Sequence, residues 1–257
     1  NGKNKVAPSR DQETGAREMT VSEIEATIQA YGRATELAIE AGFDGVEIHG
    51  ANGYLIQQFF SGHSNRREDE WGGLIEQRLK FPLAVVDAVL AAKERSGRND
   101  FIVGYRFSPE EPEEKGITMA DTFVLIDALV GKALQYLHVS LHDFFSHARR
   151  GADSARLRID LLHEHINGRL PLIGVGNLLS AEQIQRAFDT GSVEFVALGK
   201  AVLLNPSIVS LLQNGEFDKI ETELDPEQKE KYHFSDILWH LNMQNMSFLP
   251  PVKGVVK

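Results

Sequence analysis

Five short runs of this chain, at residues 44–49, 101–107, 136–140, 170–175 and 194–198, are close to continuously apolar. A strand with one wet face alternates polar and apolar residues. A strand covered on both faces does not, so these runs read as parallel strands of an α/β sheet. Helical patterns separate them at 75–95, 119–132, 155–166 and 180–190. Another helix precedes the first run: Thr20 and Glu23 have the spacing of a capping box, and Ile24, Ile28, Tyr31, Ala34, Leu37, Ala38 and Ala41 follow at helical spacing until Gly42. Alternating strand and helix leaves two architectures, a closed (β/α)8 TIM barrel or an open doubly wound sheet.

The residues able to do chemistry sit at the strand ends: His49 after the first run, Arg106 in the second, Gly176-Asn177 after the fourth and Gly199-Lys200 after the fifth. Both architectures place ligands at the carboxyl ends of strands, but a barrel gathers all four positions around one axis and is favoured. The first end is the richest. Within six residues it offers an imidazole (His49), an amide (Asn52) and a phenol (Tyr54), with Gly50 and Gly53 allowing a sharp turn. All three groups hydrogen-bond and the phenol can surrender a proton, which suits polarising a carbonyl and protonating a carbon. Arg106 lies inside an apolar strand, where an unpaired guanidinium is costly, so it needs an anion: a bound ligand or a carboxylate such as Glu47. The two glycine pairs on consecutive strands fit a phosphate position, with backbone N–H groups and a helix start around the anion.

Composition narrows the partner. With 37 acidic and 27 basic residues the formal charge is -10, which disfavours nucleic acid and anionic membranes and points to a small molecule. There is no cysteine, hence no thiolate metal site or disulfide. No apolar run approaches the about 18 residues of a membrane span, and residues 1–10 are polar, so a cytoplasmic protein is expected. Residues 1–19 read as loop or disordered. Arg67, Asp69, Glu76 and Arg78 read as a salt-bridged brace, and His163 and His165 as a solvated helix surface with no metal. Phe144-Phe145 lines a channel or simply packs. The tail from Glu216 reads as a helical extension on the outside of the fold.

The motif His49-Gly-Ala-Asn52-Gly-Tyr54-Leu55-x-x-Gln58-Phe59, continued by Ser64-Asn65-x-Arg67-x-Asp69-x-Trp71-Gly72-Gly73 and Glu76-x-Arg78-x-x-Phe81, resembles the Old Yellow Enzyme family of FMN-dependent NADH:flavin oxidoreductases and ene-reductases. The similarity continues through Val103–Ser108, Tyr136–Ser140, Pro171–Asn177 and Ala197–Lys200. The resemblance implies a TIM barrel of which this chain supplies the fourth to eighth strands, as residues 1–213, with the first three βα units lacking and residues 214–257 as a helical extension. It implies FMN as cofactor, NADH or NADPH as reductant, and an activated alkene or enone as substrate. His49 and Asn52 would bind the substrate carbonyl, Tyr54 would protonate the α-carbon, Arg106 would face the flavin ring, and Gly176, Asn177, Gly199 and Lys200 would hold its phosphate. The family usually has arginine where this chain has Lys200, which keeps the charge without the bidentate fork. Two alternatives stand beside this reading: another FMN-barrel reductase chemistry, and a non-catalytic or incomplete barrel fragment that needs an N-terminal portion. A homo-oligomer is left open.

Overall fold

Thr20 caps the first long helix as its spacing requires: Glu23 N–H donates to Thr20 Oγ1 (3.2 Å) and Thr20 N–H to Glu23 Oε2 (2.9 Å). Helix α1 (Val21–Glu40) then runs until Gly42, whose φ of +84° takes the left-handed turn that ends it. These elements belong to a computed structural model that describes residues 4–244 and 246–255.

Strands β3 (Gly45–Gly50), β4 (Ile102–Phe107), β5 (Tyr136–Val139), β6 (Leu172–Gly174) and β7 (Phe195–Val196) form one parallel sheet in the order β3-β4-β5-β6-β7. Among the described residues strand order follows chain order without reversal, with no switch point of the kind a doubly wound fold has. Its two outer strands, β3 and β7, each have one neighbour among the described residues. The last two strands are shorter than the apolar runs that announced them.

Helices α2 (Leu55–Phe60), α3 (Ile75–Arg78), α4 (Lys80–Ser96), α5 (Met119–Val130), α6 (Arg158–Ile166) and α7 (Ala181–Asp189) fill the connections. The single helix expected over 75–95 is two, joined at Leu79. Helix α1 lies against α4, and Gly32 makes that approach close: a Cβ there would stand 3.2 Å from the Ala88 carbonyl oxygen. The core lies between these helices and the sheet, with Val103, Tyr105, Phe107, Leu137 and Val139 facing it and Phe59 stacked on Phe81 at 4.0 Å.

The opposite sheet face differs from the sequence expectation of full burial. Parallel register aligns Glu47, Gly104 and Tyr136 in one row and His49, Arg106 and His138 in the next. Successive side chains alternate faces, so this face is polar, and Ile102 beside it is 43% exposed.

The N-terminal segment also departs from expectation. Residues 1–3 lie outside the described residues, but β1 (Val6–Ala7) pairs in parallel with β2 (Arg17–Glu18). The cause lies about 50 residues away: the Arg67 guanidinium, its side chain 4% exposed, donates to Pro8 O (2.8 Å) and Met19 O (2.7 Å) and pairs with Asp69 (2.6 Å). Local composition carried no sign of that clamp.

Beyond β7 follow α8 (Lys200–Leu204), α9 (Ile208–Gln213), two 3-10 turns and α10 (Asp236–Met243). Leu224 and Tyr232 pack on Leu204 in a small apolar cluster of their own.

Candidate active site at the strand ends

The chain leaves β3 through a tight turn. Asn52 (φ +58°) and Gly53 (φ +71°) are successive left-handed residues, and Tyr54 N–H closes the turn on Ala51 O at 3.2 Å. This is the Asn-Gly arrangement that tolerates two positive φ angles in a row. Both turn amides are held from outside: Asn52 N–H donates to Ser108 Oγ (2.9 Å) and Gly53 N–H to Gln57 Oε1 (3.0 Å). The Asn52 side chain is held too. Its Oδ1 accepts from Ser140 Oγ (2.8 Å), and the same Ser140 oxygen accepts from Arg106 Nη2 (2.9 Å). With its oxygen committed, the Asn52 amide retains its two N–H donors for a ligand. Tyr54 starts α2, is 63% exposed, and has its ring 5.3 Å from the His49 ring at 54°. Gly50 is required there, since a Cβ would lie 2.4 Å from the Tyr105 hydroxyl.

Charges on the polar face are coupled. Partial burial, helped by the Arg106 charge, lowers the His49 pKa below the usual imidazole value, so neutral pH leaves it an uncharged hydrogen-bonding ring. Burial pushes Glu47 up, but the His138 hydrogen bond and charge, the Tyr136 hydroxyl and the Arg106 charge outweigh it and hold the carboxyl low. The Glu47 partner is His138, with Nδ1 2.9 Å from Oε2, and not Arg106 as one sequence reading allowed. Burial first, and Glu47 second, push the Tyr136 hydroxyl up to about 12. Arg106 Nε is buried and has no protein partner.

Above this face opens a cavity of about 770 Å³. Asn52, Tyr54, Arg106, Gly176, Asn177, Gly199 and Lys200 line it, so seven of the eight residues singled out in the sequence share one space. His49 is the exception: it is not in the lining, and its ring lies 5.3 Å from that of Tyr54, which is. At the far end Lys200 Nζ donates to Asn177 Oδ1 (3.3 Å). Gly176 is packed so closely that a Cβ would meet Phe144 N at 2.4 Å, whereas one on Gly199 would meet nothing within 4 Å.

Ser140, His142, Ser247 and Phe248 also line the cavity, and sequence reasoning passed over them. For Ser140 the signal was its place at a strand end. For Ser247 and Phe248 there was none. The Phe144-Phe145 pair is resolved toward packing: Phe144 is fully buried, Phe145 meets it edge-on at 5.1 Å, and Arg186 sits over the Phe145 ring. The brace is built by Arg67, Asp69 and Arg78, which donates to Phe60 O and Gly73 O; among the described residues Glu76 joins none of its ion pairs. His165 is tied down, stacked on Phe123 and 3.1 Å from Asp127.

A parallel α/β sheet whose consecutive strand ends converge on one cavity, with Arg106 and Lys200 both in its lining, has the strand-terminus arrangement in which α/β folds bind small molecules. The particular group follows from comparison. The chain belongs to the NADH:flavin oxidoreductase / NADH oxidase family, whose pattern it matches over residues 3–219. It is 48% identical over 248 residues to the probable NADH-dependent flavin oxidoreductase YqiG of Bacillus subtilis, covering 95% of this chain and 66% of that one. It is 43% identical over 214 residues to the NADH:acrylate oxidoreductase of Vibrio harveyi, covering 82% of this chain and 21% of that one. Among solved structures, morphinone reductase superposes with a TM-score of 0.66 at 29% identity, covering 83% of this chain and 60% of the other. The chain thus spans just under two thirds of the Bacillus relative and about a fifth of the Vibrio one.

Proposed function

We propose that this chain holds FMN in the strand-end cavity and serves an NADH- or NADPH-driven reduction of an activated alkene or enone. The single observation that carries this is the convergence of Asn52, Tyr54, Arg106, Asn177 and Lys200 on one cavity of about 770 Å³. The residues present fit the group. Arg106 has a buried Nε without a partner, a demand that the electron-rich pyrimidine edge of a flavin meets. Lys200 and Asn177 offer a cation and an amide for the phosphate, and the glycine at 199, where a Cβ would meet only open space, lets it approach the backbone.

FMN, held by Arg106, Gly176, Asn177, Gly199 and Lys200, would supply the hydride-transfer chemistry that links a nicotinamide to the β-carbon of the alkene. The side chains prepare that delivery. His49, neutral, and the Asn52 amide donate to the substrate carbonyl oxygen and stabilise negative charge there; one such donor is worth about 10² to 10³ in rate. Tyr54 gives its phenolic proton to the α-carbon. Ser140, bonded to both Arg106 and Asn52, keeps the amide end and the cationic end in fixed relation. Residues 1–213 form the flavin-holding unit and 214–257 an extension that adds Ser247 and Phe248 to the rim.

The five strands correspond in this reading to the fourth to eighth of an eight-stranded barrel. The two outer strands favour a second reading, in which the sheet is catalytically incomplete until further strands pair with β3 and β7. Titration with FMN, followed by flavin absorbance, and then NADH oxidation with 2-cyclohexenone or acrylate, separates them. Flavin binding with alkene-dependent turnover supports the first reading. Flavin binding without turnover, or a folded chain that binds no flavin, supports the second and defeats the first.

A further inference from the structure

The residues that grip the Asn52-Gly53 turn come from the loop after β4 and from α2. Asn52 N–H donates to Ser108 Oγ, and Gly53 N–H donates to Gln57 Oε1. Gln57 is 5% exposed, and its Nε2 donates to Glu111 Oε1 (2.6 Å). Glu111, 8% exposed, accepts in addition from the Ser61 hydroxyl and from Ile117 N–H (3.1 Å) on its other oxygen. A buried carboxylate is costly without donors, and here three converge on it. None of these residues lines the cavity.

We infer that Glu111 is a positioning residue for the proposed active site: acting through Gln57, and together with Ser108, it sets the backbone of the Asn52-Gly53 turn and so the placement of Asn52 and Tyr54. This rests on the function proposed above for those two residues. The argument is one of polarity. An amide can be turned end for end, and what fixes the Gln57 amide is the acceptor-only carboxylate beyond it. With Nε2 committed to Glu111, Oε1 must face Gly53, and a left-handed glycine amide is left with an acceptor. Replacing Glu111 by glutamine reverses the chain of donors. If its oxygen keeps Ser61 and Ile117, its NH2 faces the Gln57 NH2, and Gln57 must turn and present a donor to Gly53 N–H. If it rotates instead, Ile117 N–H loses its acceptor. The exchange Gln57→Glu with Glu111→Gln restores every pairing: the carboxylate at 57 accepts from Gly53 and from the new amide, whose oxygen accepts from Ser61 and Ile117. Net charge is unchanged.

The test uses the whole chain with FMN present and two readouts, hydrogen exchange at the Gly53 amide by NMR and kcat for enone reduction. Glu111→Gln is expected to speed Gly53 exchange about tenfold or more, since an amide without its acceptor opens locally. It is expected to lower kcat by about 10 to 10², the cost of misplacing catalytic groups by about 1 Å. FMN affinity should stay within about twofold, because Arg106, Asn177 and Lys200 lie outside the turn that Glu111 sets. The double exchange Gln57→Glu/Glu111→Gln should bring both readouts back. Ser108→Ala, which leaves the buried carboxylate alone, should lower kcat in the same direction and serves if Glu111→Gln does not fold. Unchanged exchange in folded Glu111→Gln overturns the inference, as does a folded double exchange that restores neither readout. If the wild-type chain shows no turnover, the functional reading fails while the exchange readout still decides whether Glu111 sets the turn.

Discussion

Replacing Asn52 by glycine and by alanine separates its backbone role from its chemical one. At φ +58° an ordinary L-residue pays about 1–2 kcal/mol for the left-handed conformation, asparagine less and glycine almost nothing. The side chain also accepts from Ser140 Oγ at 2.8 Å, a neutral hydrogen bond worth about 0.5–1.5 kcal/mol, at the low end because the site is open to water. Asn52→Gly loses the bond and relieves the turn, so its stability should stay within about 0.5 kcal/mol of wild type. Asn52→Ala loses the bond and takes on the strain, and should fall by about 1–2 kcal/mol. Both lack the amide donor. Both should therefore lose about 10² to 10³ in kcat/KM, equal to about 2.7–4 kcal/mol of barrier. Urea denaturation gives the stabilities, and enone-dependent NADH oxidation by the FMN-loaded protein gives the rates. The reasoning is refuted if Asn52→Gly keeps more than about a tenth of the wild-type rate, or if the rate losses of the two variants follow their stability losses.

Three other outcomes are expected. The His49 pKa is lowered on folding, so below about pH 6.5 the unfolded chain holds more protons and stability rises with pH across that window; the stability difference between wild type and His49→Gln should shrink as pH is lowered from about 7.5 to about 5.5. Gly104→Ala places a Cβ 2.0 Å from the Tyr136 ring and should cost about 1–3 kcal/mol, read as a drop in the urea midpoint. Arg67→Ala strips the clamp from Pro8 and Met19 and leaves Asp69 unpaired, which should cost about 3 kcal/mol and open residues 8–19 to limited proteolysis while the sheet persists.

Much of this fold was written locally. The capping box at Thr20 formed where its spacing put it, and Thr118 and Ser180 cap α5 and α7 in the same way, because cap and partner sit three residues apart. The turn after β3 was legible in part: Gly53 takes its positive φ, but its left-handed partner is Asn52 and not Gly50, which stays in the strand. What escaped was pairing at a distance. Glu47 meets His138 across 91 residues and Gln57 meets Glu111 across 54, and neither pair has a periodicity of its own. One signal was available and unused: Glu47, His49, Arg106 and His138 share parity within their runs, which puts them on one face once the strands are parallel and in register. The β1–β2 pair could not be read from residues 1–19, because the arginine that shapes it lies elsewhere in the chain.

The most direct test of the central claim is a crystal structure of this chain with FMN bound. The account expects the ring system beside Arg106 and within reach of Asn52 and Tyr54, with the phosphate at Asn177 and Lys200. A flavin bound away from the strand-end cavity, or one lying in it with its phosphate at Arg106, would contradict it.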